Sequence, residues 1–227
     1  MVHSFRCSRW HYRIVAGRAL SKTGRESVFR DQPQAYWRLR LGVLVTDLAA
    51  LIRDVPDFPK PGIVFKDITP LLGAPGAIAA LADFMAAPWL VAANSGGAKV
   101  TKVAGIEARG FLLAPLVADR LGVGMVPIRK PGKLPSKSIT RTYNLEYGTD
   151  SLQVHADAAG RGDHVLIIDD VLATGGTALA AAGLVGDLGA TVAGVGFAIE
   201  LAFLSGRAAL GLAVGENVVI ETVLSYS

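Results

Sequence analysis

VLIIDDVLATGGT, residues Val165 to Thr177, decides the fold. Val165, Leu166, Ile167 and Ile168 form one unbroken apolar run, which fits a strand buried on both faces of a parallel sheet. Asp169 and Asp170 follow, and then the small residues Ala173, Thr174, Gly175, Gly176 and Thr177 lead into an apolar stretch that predicts a helix from about Thr177 to Leu188. A further strand is expected over Thr191 to Ile199. Strand, Gly-rich turn, helix, strand is the βαβ unit, and the chain carries a second copy of that design upstream. There Lys102 to Ile106 reads as a strand, Glu107 to Gly110 as a turn, Phe111 to Leu121 as a helix and Val123 to Arg129 as a strand. The fold class is α/β, with a mainly parallel central sheet flanked by helices.

The chemistry expected at Val165 to Thr177 follows from its shape. A buried strand delivers two carboxylates to the carboxyl edge of the sheet, where open α/β folds place their ligands. Small residues then let backbone amides approach an anion, and the first turn of the next helix offers unpaired N–H groups and a positive dipole. That is a phosphate cradle. Two carboxylates beside it would repel a bare anion but accept hydrogen bonds from sugar hydroxyls, so the pattern asks for a phosphorylated sugar. No Gly-Lys-Ser/Thr follows, which excludes the triphosphate P-loop, and the turn is not the dinucleotide G-x-G-x-x-G. The bland alternative, a Gly-rich turn with two solvated aspartates, does not account for paired Asp and Thr-Gly-Gly-Thr at one strand end.

Upstream, Leu48, Leu51, Ile52 and Val55 recur at helical spacing, with Thr46 placed to cap and Asp47 in the first turn. The helix is expected to end near Pro56, because Pro56, Pro59, Pro61 and Pro70 disfavour helix before them and lack amide donors. The segment between is expected to be a loop pinned to the core by Phe58, Ile63, Val64 and Phe65.

Of 227 residues 51% are hydrophobic and 19% charged, enough apolar material for one sizeable core, which excludes disorder throughout. The net charge of +4 belongs to one segment: residues 1–43 hold nine basic and two acidic side chains, the rest fourteen and seventeen. A nucleic-acid partner is therefore not expected, since the positive charge lies outside the folded body, in a segment without helical or strand periodicity. Residues 1–43 read as a basic, flexible extension, whether targeting peptide, arm or upstream sequence; residues 44–227 form the folded domain. The single cysteine, Cys7, excludes an internal disulfide framework and a multi-cysteine zinc site. The apolar stretch Thr191 to Val214 is cut by Glu200 and Arg207 into pieces shorter than the roughly 20 residues of a membrane helix. A soluble, cytoplasmic protein with no membrane partner is expected.

The thirteen residues Val165 to Thr177 resemble the 5-phosphoribosyl 1-pyrophosphate motif of type I phosphoribosyltransferases. The segments PDFPKPGIVFKDITPLL (Pro56 to Leu72), GIEARGF (Gly105 to Phe111), RKPGKLP (Arg129 to Pro135), YNLEYGTDSLQVH (Tyr143 to His155) and IEL (Ile199 to Leu201) resemble the adenine phosphoribosyltransferases in order and spacing. The resemblance implies that family's fold with a small hood and a mobile loop, and the reaction of adenine with 5-phosphoribosyl 1-pyrophosphate to give AMP and pyrophosphate. It further implies Mg²⁺ carried on substrate oxygens without protein ligands of its own, and a homodimer.

By the same resemblance Asp169 and Asp170 hold the ribose hydroxyls, and Ala173, Thr174, Gly175, Gly176 and Thr177 the 5′-phosphate. Arg109, Arg129, Lys130 and Lys133 face the pyrophosphate, where a leaving group gathering negative charge needs cations. Val64, Phe65, Lys66 and Leu201 surround adenine; Lys66 stands where many relatives carry arginine, a point charge in place of a planar fork. Residues 131–149 correspond to the loop that closes over the substrates and excludes water, with Glu146 facing the purine to move its proton and Tyr147 beside it in the lid. Two other readings stay open: a transferase for hypoxanthine or guanine, and a non-catalytic sensor of phosphoribosyl pyrophosphate whose basic arm binds DNA. The hood segment and LEYGTD favour the first branch over the former, and the presence of Glu146 and RKPGK argues against the latter.

Overall fold

The computed structural model describes residues 4–7, 10–15, 18–20, 45–94, 99–145, 148–215 and 218–227. The chain divides into two units, Met1–Gly42 and Val43–Ser227. In the first, strands β1 (Ser4–Cys7), β2 (Trp10–Val15) and β3 (Arg18–Leu20) pair antiparallel in that order. The sequence reading expects no regular element there. The run WHYRIV in fact alternates aromatic and β-branched residues with His11 and Arg13, a short period-2 signal that nine scattered basic residues obscure.

The second unit opens with α1 (Val45–Ala50), shorter than expected. Thr46 lies within this helix rather than capping it, and Val55 belongs instead to β4 (Arg53–Pro56), which pairs antiparallel with β5 (Val64–Asp67). Pairing with a strand nine residues on overrides the helical spacing. The hairpin is tied by Arg53 Nη2 to Asp67 Oδ2 at 2.6 Å and by Lys66 Nζ to Asp54 Oδ1 at 2.6 Å. The expected pinning to the core does not occur: Phe58, Ile63 and Val64 are about half exposed. This hairpin is the small hood.

Helices α2 (Thr69–Gly73) and α3 (Ala77–Asn94) lead to the sheet strand β6 (Lys102–Ile106), helix α4 (Gly110–Leu121) and β7 (Gly124–Ile128). Residues of the expected closing loop form a second antiparallel hairpin, β8 (Ser138–Leu145) with β9 (Gly148–His155). The chain then runs through β10 (His164–Leu172), α5 (Gly176–Asp187), β11 (Thr191–Leu201), a 3-10 turn (Ala202–Leu204), α6 (Gly206–Val214) and β12 (Val219–Tyr226).

Five strands make one wholly parallel sheet in the order β12-β11-β10-β6-β7. β10 shows why its apolar run is continuous. Leu166 and Ile168 enter one buried cluster with Leu48, Leu71, Leu81 and Leu113; Val165 and Ile167 enter the other with Ile106, Leu152, Leu184 and Phe197. Both faces are covered, as a parallel sheet requires. From β6 the chain steps outward to β7, and from β10 outward in the opposite sense to β11 and β12. The order thus reverses between β6 and β10, and a crevice opens at their carboxyl ends.

Candidate functional site

Two turns meet in that crevice. β6 delivers Glu107, Ala108 and Arg109, and β10 delivers Asp169 and Asp170; the register pairs Gly105 with Ile168, so the two sets leave the sheet side by side. Gly110 permits this approach, because a Cβ there would stand 2.8 Å from Ile168 O and 3.1 Å from Asp169 Oδ1. The result is an open cleft of about 400 Å³.

One wall of the cleft is the glycine turn expected to hold a phosphate. Ala173, Thr174, Gly175, Gly176 and Thr177 all line it. Gly175, at φ 86°, turns the chain so that α5 begins with its N-terminus toward the cavity, and no side chain caps it. The opening amides of a helix have no partner within the helix, so they are available to an anion. The notch is neither filled by side chains nor closed by a capping group.

Asp169 and Asp170 form the floor and are buried, at 9% and 4% exposure. Burial and then the neighbouring Asp170 charge push the Asp169 pKa well above the usual carboxylate range. Asp170 is also raised by burial, against the pull of Arg109, whose Nε lies 2.6 Å from Asp170 Oδ2. We assign the charge to Asp170, which has the cation, and the higher pKa to Asp169. Arg109 Nε covers Asp170 Oδ2 as a close ion pair without an aligned hydrogen bond, so this buried oxygen keeps an acceptor capacity that movement of the guanidinium would open to the cleft. Such an oxygen fits a sugar hydroxyl. Among the described residues no three His, Cys, Asp or Glu side chains stand close enough to hold a metal ion.

The basic residues separate into two kinds. Arg109 and Lys130 line the cleft, whereas Arg129 and Lys133 do not. Glu107 gathers them: it accepts hydrogen bonds from Lys133 Nζ and, at 2.9 Å, from the Lys130 amide, and Arg129 Nε stands 3.5 Å away. Burial raises the Glu107 pKa, but the Lys133 and Lys130 hydrogen bonds and the Lys133 and Arg129 charges outweigh it and hold the carboxylate below its ordinary range. Glu107 was missed as a functional residue by the sequence reading, which treats it only as part of a turn. Its place at the carboxyl end of β6, two residues before Arg109, was the available signal.

Lys130 Nζ also bonds Asp150 and, at 3.1 Å, the Tyr143 hydroxyl, so the hairpin β8–β9 is tied to the cleft rim. Thr177 Oγ1 donates to the same Tyr143 hydroxyl at 3.4 Å, joining cradle and hairpin. Glu146 and Tyr147, expected to face the purine and to form the lid, lie outside the described residues.

The remaining wall is apolar. Val64, Phe65 and Lys66 of the hood and Leu201 at the end of β11 all line the cleft, together with Ile63 and Leu204. The half-exposed Ile63 and Val64 thus face the cleft rather than the core. Phe65 also lies under the Arg109 guanidinium, 5.4 Å from ring centroid to Cζ.

Comparison with known proteins agrees with this geometry. Residues 77–209 match the phosphoribosyl transferase domain family. The adenine phosphoribosyltransferase of Myxococcus xanthus (strain DK1622) is 54% identical over 168 residues, 74% of this chain and 88% of that protein. The crystal structure of adenine phosphoribosyltransferase from Thermoanaerobacter pseudethanolicus superimposes with a TM-score of 0.72 at 45% identity, covering 81% of this chain and all of that one. The Saccharomyces cerevisiae enzyme, solved with an imino-altritol bisphosphate and adenine, gives a TM-score of 0.71 at 38% identity over 79% of this chain and 98% of that one.

Proposed function

The chain belongs to the phosphoribosyltransferase family, among the adenine phosphoribosyltransferases, and from that premise we propose how its residues carry phosphoribosyl transfer from 5-phosphoribosyl 1-pyrophosphate to adenine, yielding AMP and pyrophosphate. The observation that carries the reading is the junction at the sheet's switch point: an open glycine cradle, two buried carboxylates and the cations Lys66, Arg109 and Lys130 around one cleft.

The 5′-phosphate sits on the amides of Ala173 to Thr177, with the Thr174 and Thr177 hydroxyls beside them. Asp170, and Asp169 where ionised, accept hydrogen bonds from the ribose hydroxyls and fix the sugar. Adenine lies between the hood residues Val64, Phe65 and Lys66 and Leu201. With both ends held, the attacking ring nitrogen and the anomeric carbon are kept at reaction distance. The bond to adenine forms as the bond to pyrophosphate oxygen breaks, and the leaving group gathers charge that Arg109 and Lys130 offset. Glu107 holds Lys133 and Arg129 beside this position. Glu146 takes part in moving the purine proton, and the hairpin bearing it, with Tyr147, closes over the sugar to exclude water.

The donor set suits Mg²⁺ carried on the substrate: the carboxylates at the cleft are hard oxygen donors, and magnesium keeps few protein ligands when phosphates are present. When bound it supplies positive charge to the pyrophosphate. A homodimer acting in the cytoplasm completes the proposal; among the described residues no helix is long and apolar enough to cross a membrane.

Turnover of adenine and phosphoribosyl pyrophosphate with Mg²⁺, compared with Glu146→Gln and Asp170→Asn, tests the roles. Formation of AMP by the wild type with large losses in both variants is expected; full activity in both overturns the assignment. Hypoxanthine and guanine offered in parallel test the choice of base.

A further inference from the structure

The phosphate loop is backed by a residue thirty positions away. At Gly206, the buried first residue of α6, a Cβ would stand 2.0 Å from Ala173 O, 2.9 Å from Ala173 C and 3.0 Å from Gly175 N. The contact is reciprocal, since a Cβ at Gly175 would lie 2.9 Å from Gly206 O. All these atoms are backbone, so no flexible side chain can swing away; any Cβ at Gly206 displaces the loop itself. Gly206 is also held from behind. Its neighbour Arg207 donates to Glu200 Oε1 at 2.9 Å and Oε2 at 2.6 Å, to Ile220 O at 2.6 Å and to Thr222 Oγ1 at 3.1 Å. Thr222 in turn donates to Glu200 Oε2 at 3.1 Å, and Glu200 is only 7% exposed. This ion pair, with Glu200 buried and Arg207 about a third exposed, ties the start of α6 to β11 and β12. Neither Glu200 nor Arg207 lines the cleft.

We propose that Gly206 is a positioning residue for the 5′-phosphate: its bare Cα sets the path of Ala173 to Gly175, and the Glu200–Arg207 pair holds it against them. The inference rests on reading that loop as the phosphate cradle. Amides that bind a phosphate must converge within a few tenths of an ångström, so a loop displaced by a methyl group loses the phosphate while the base and ribose contacts persist.

The test measures dissociation constants of AMP and of adenosine, which lacks the phosphate, for the full chain and its variants. Their ratio reports the phosphate contribution alone and is unmoved by a general loss of stability. Gly206→Ala should lower the ratio at least about tenfold, the scale of one charge-assisted hydrogen bond, through weaker AMP binding. Gly211→Ala, on the same helix with nothing within 4 Å of its added Cβ, should leave it unchanged. Thr177→Val, which removes a cradle hydroxyl, separates the two readings. A lowered ratio in Thr177→Val with an unchanged one in Gly206→Ala overturns the positioning role and leaves the cradle standing; unchanged ratios in both overturn cradle and proposal together. Should Gly206→Ala not fold, Arg207→Met decides: a folded Arg207→Met with the wild-type ratio overturns the proposal, and a lowered ratio supports it.

Discussion

Arg109 Nε lies 2.6 Å from Asp170 Oδ2, joining the turn after β6 to the end of β10 across the sheet's switch point. The pair is unequal, with the arginine side chain 44% exposed and the aspartate 6%. Arg109 can therefore turn toward a ligand while Asp170 stays fixed. In the proposed reaction a ribose hydroxyl donating to Asp170 would replace part of the arginine's hold and free the guanidinium for the departing pyrophosphate.

Arg109→Ala is expected to lower kcat/KM for phosphoribosyl pyrophosphate by about 10²–10³, the usual loss when one group stabilising a developing negative charge is removed. Arg109→Lys should recover part of the rate, since the charge returns without the planar fork. Initial-rate measurements on both variants check this. A mutant with wild-type kcat/KM would mean that the guanidinium serves only to neutralise Asp170.

Asp169 carries a pH signature. Its pKa is raised by burial and then by Asp170, so the native state binds more protons than the unfolded chain throughout the interval between the two pKa values. Its stabilising effect is complete below the unfolded value of about 4 and is lost as pH rises through the native value. At neutral pH burying this carboxyl weakens the fold, whether it keeps its charge or takes up a proton. Asp169→Asn should raise Tm at pH 7.5 by a few degrees, about 2–4 °C per kcal/mol at this size. The advantage should shrink as pH approaches 4, while kcat/KM falls at least about tenfold through loss of one carboxyl oxygen to the ribose. Thermal melts across pH decide the sign: an advantage that grows toward acid refutes it.

The parallel sheet and the glycine turn at its carboxyl edge could be read directly because their signals are local. A strand buried on both faces must be apolar throughout, and the turn at Gly175 needs a residue tolerant of positive φ. What failed depends on distant partners. Val55 continues a helical spacing but lies in Arg53–Pro56, which pairs with Val64–Asp67; Ile63 and Val64 line a cleft built from β6 and β10, and Phe58 packs edge-on against Phe65, none of them in the core. Glu107 acquires its role only when the chain brings Lys130 and Lys133 back beside it, 23 and 26 residues later. Its place at a strand's carboxyl end marks Glu107 as near the crevice, but no local pattern announces that return.

Glu107→Gln preserves the shape of the carboxylate and removes its charge. The amide can still accept from the Lys130 N–H, but Lys133 and Arg129 lose their counter-ion. KM for phosphoribosyl pyrophosphate is expected to rise by about tenfold, equivalent to one charge-assisted hydrogen bond, with a smaller change in kcat. Equal losses in kcat and kcat/KM would instead place Glu107 in the transition state. Steady-state kinetics at saturating adenine distinguish the two.

Tyr226 offers a test of how the hood is held. Lys66 lines the cleft from β5, and its Nζ stands 2.6 Å from Asp54 Oδ1 and 4.3 Å from the centre of the Tyr226 ring. Asp54 belongs to the hood itself, so the ring on β12 is the contact that ties this lysine to the sheet. A cation over an aromatic face contributes about 0.5–2 kcal/mol, through the ring and not its hydroxyl. Tyr226→Ala should accordingly raise KM for adenine by roughly two- to thirtyfold, the same range expressed as a ratio, because the hood residues Val64 and Phe65 lose a fixed position over the base. Tyr226→Phe should keep the wild-type value. Lys66→Met should reproduce the alanine effect, and adding Tyr226→Ala to it should cost little more, since the two side chains act as one contact. Should Tyr226→Phe lose as much as Tyr226→Ala, the hydroxyl rather than the ring face is what matters, and the tie through Lys66 is refuted.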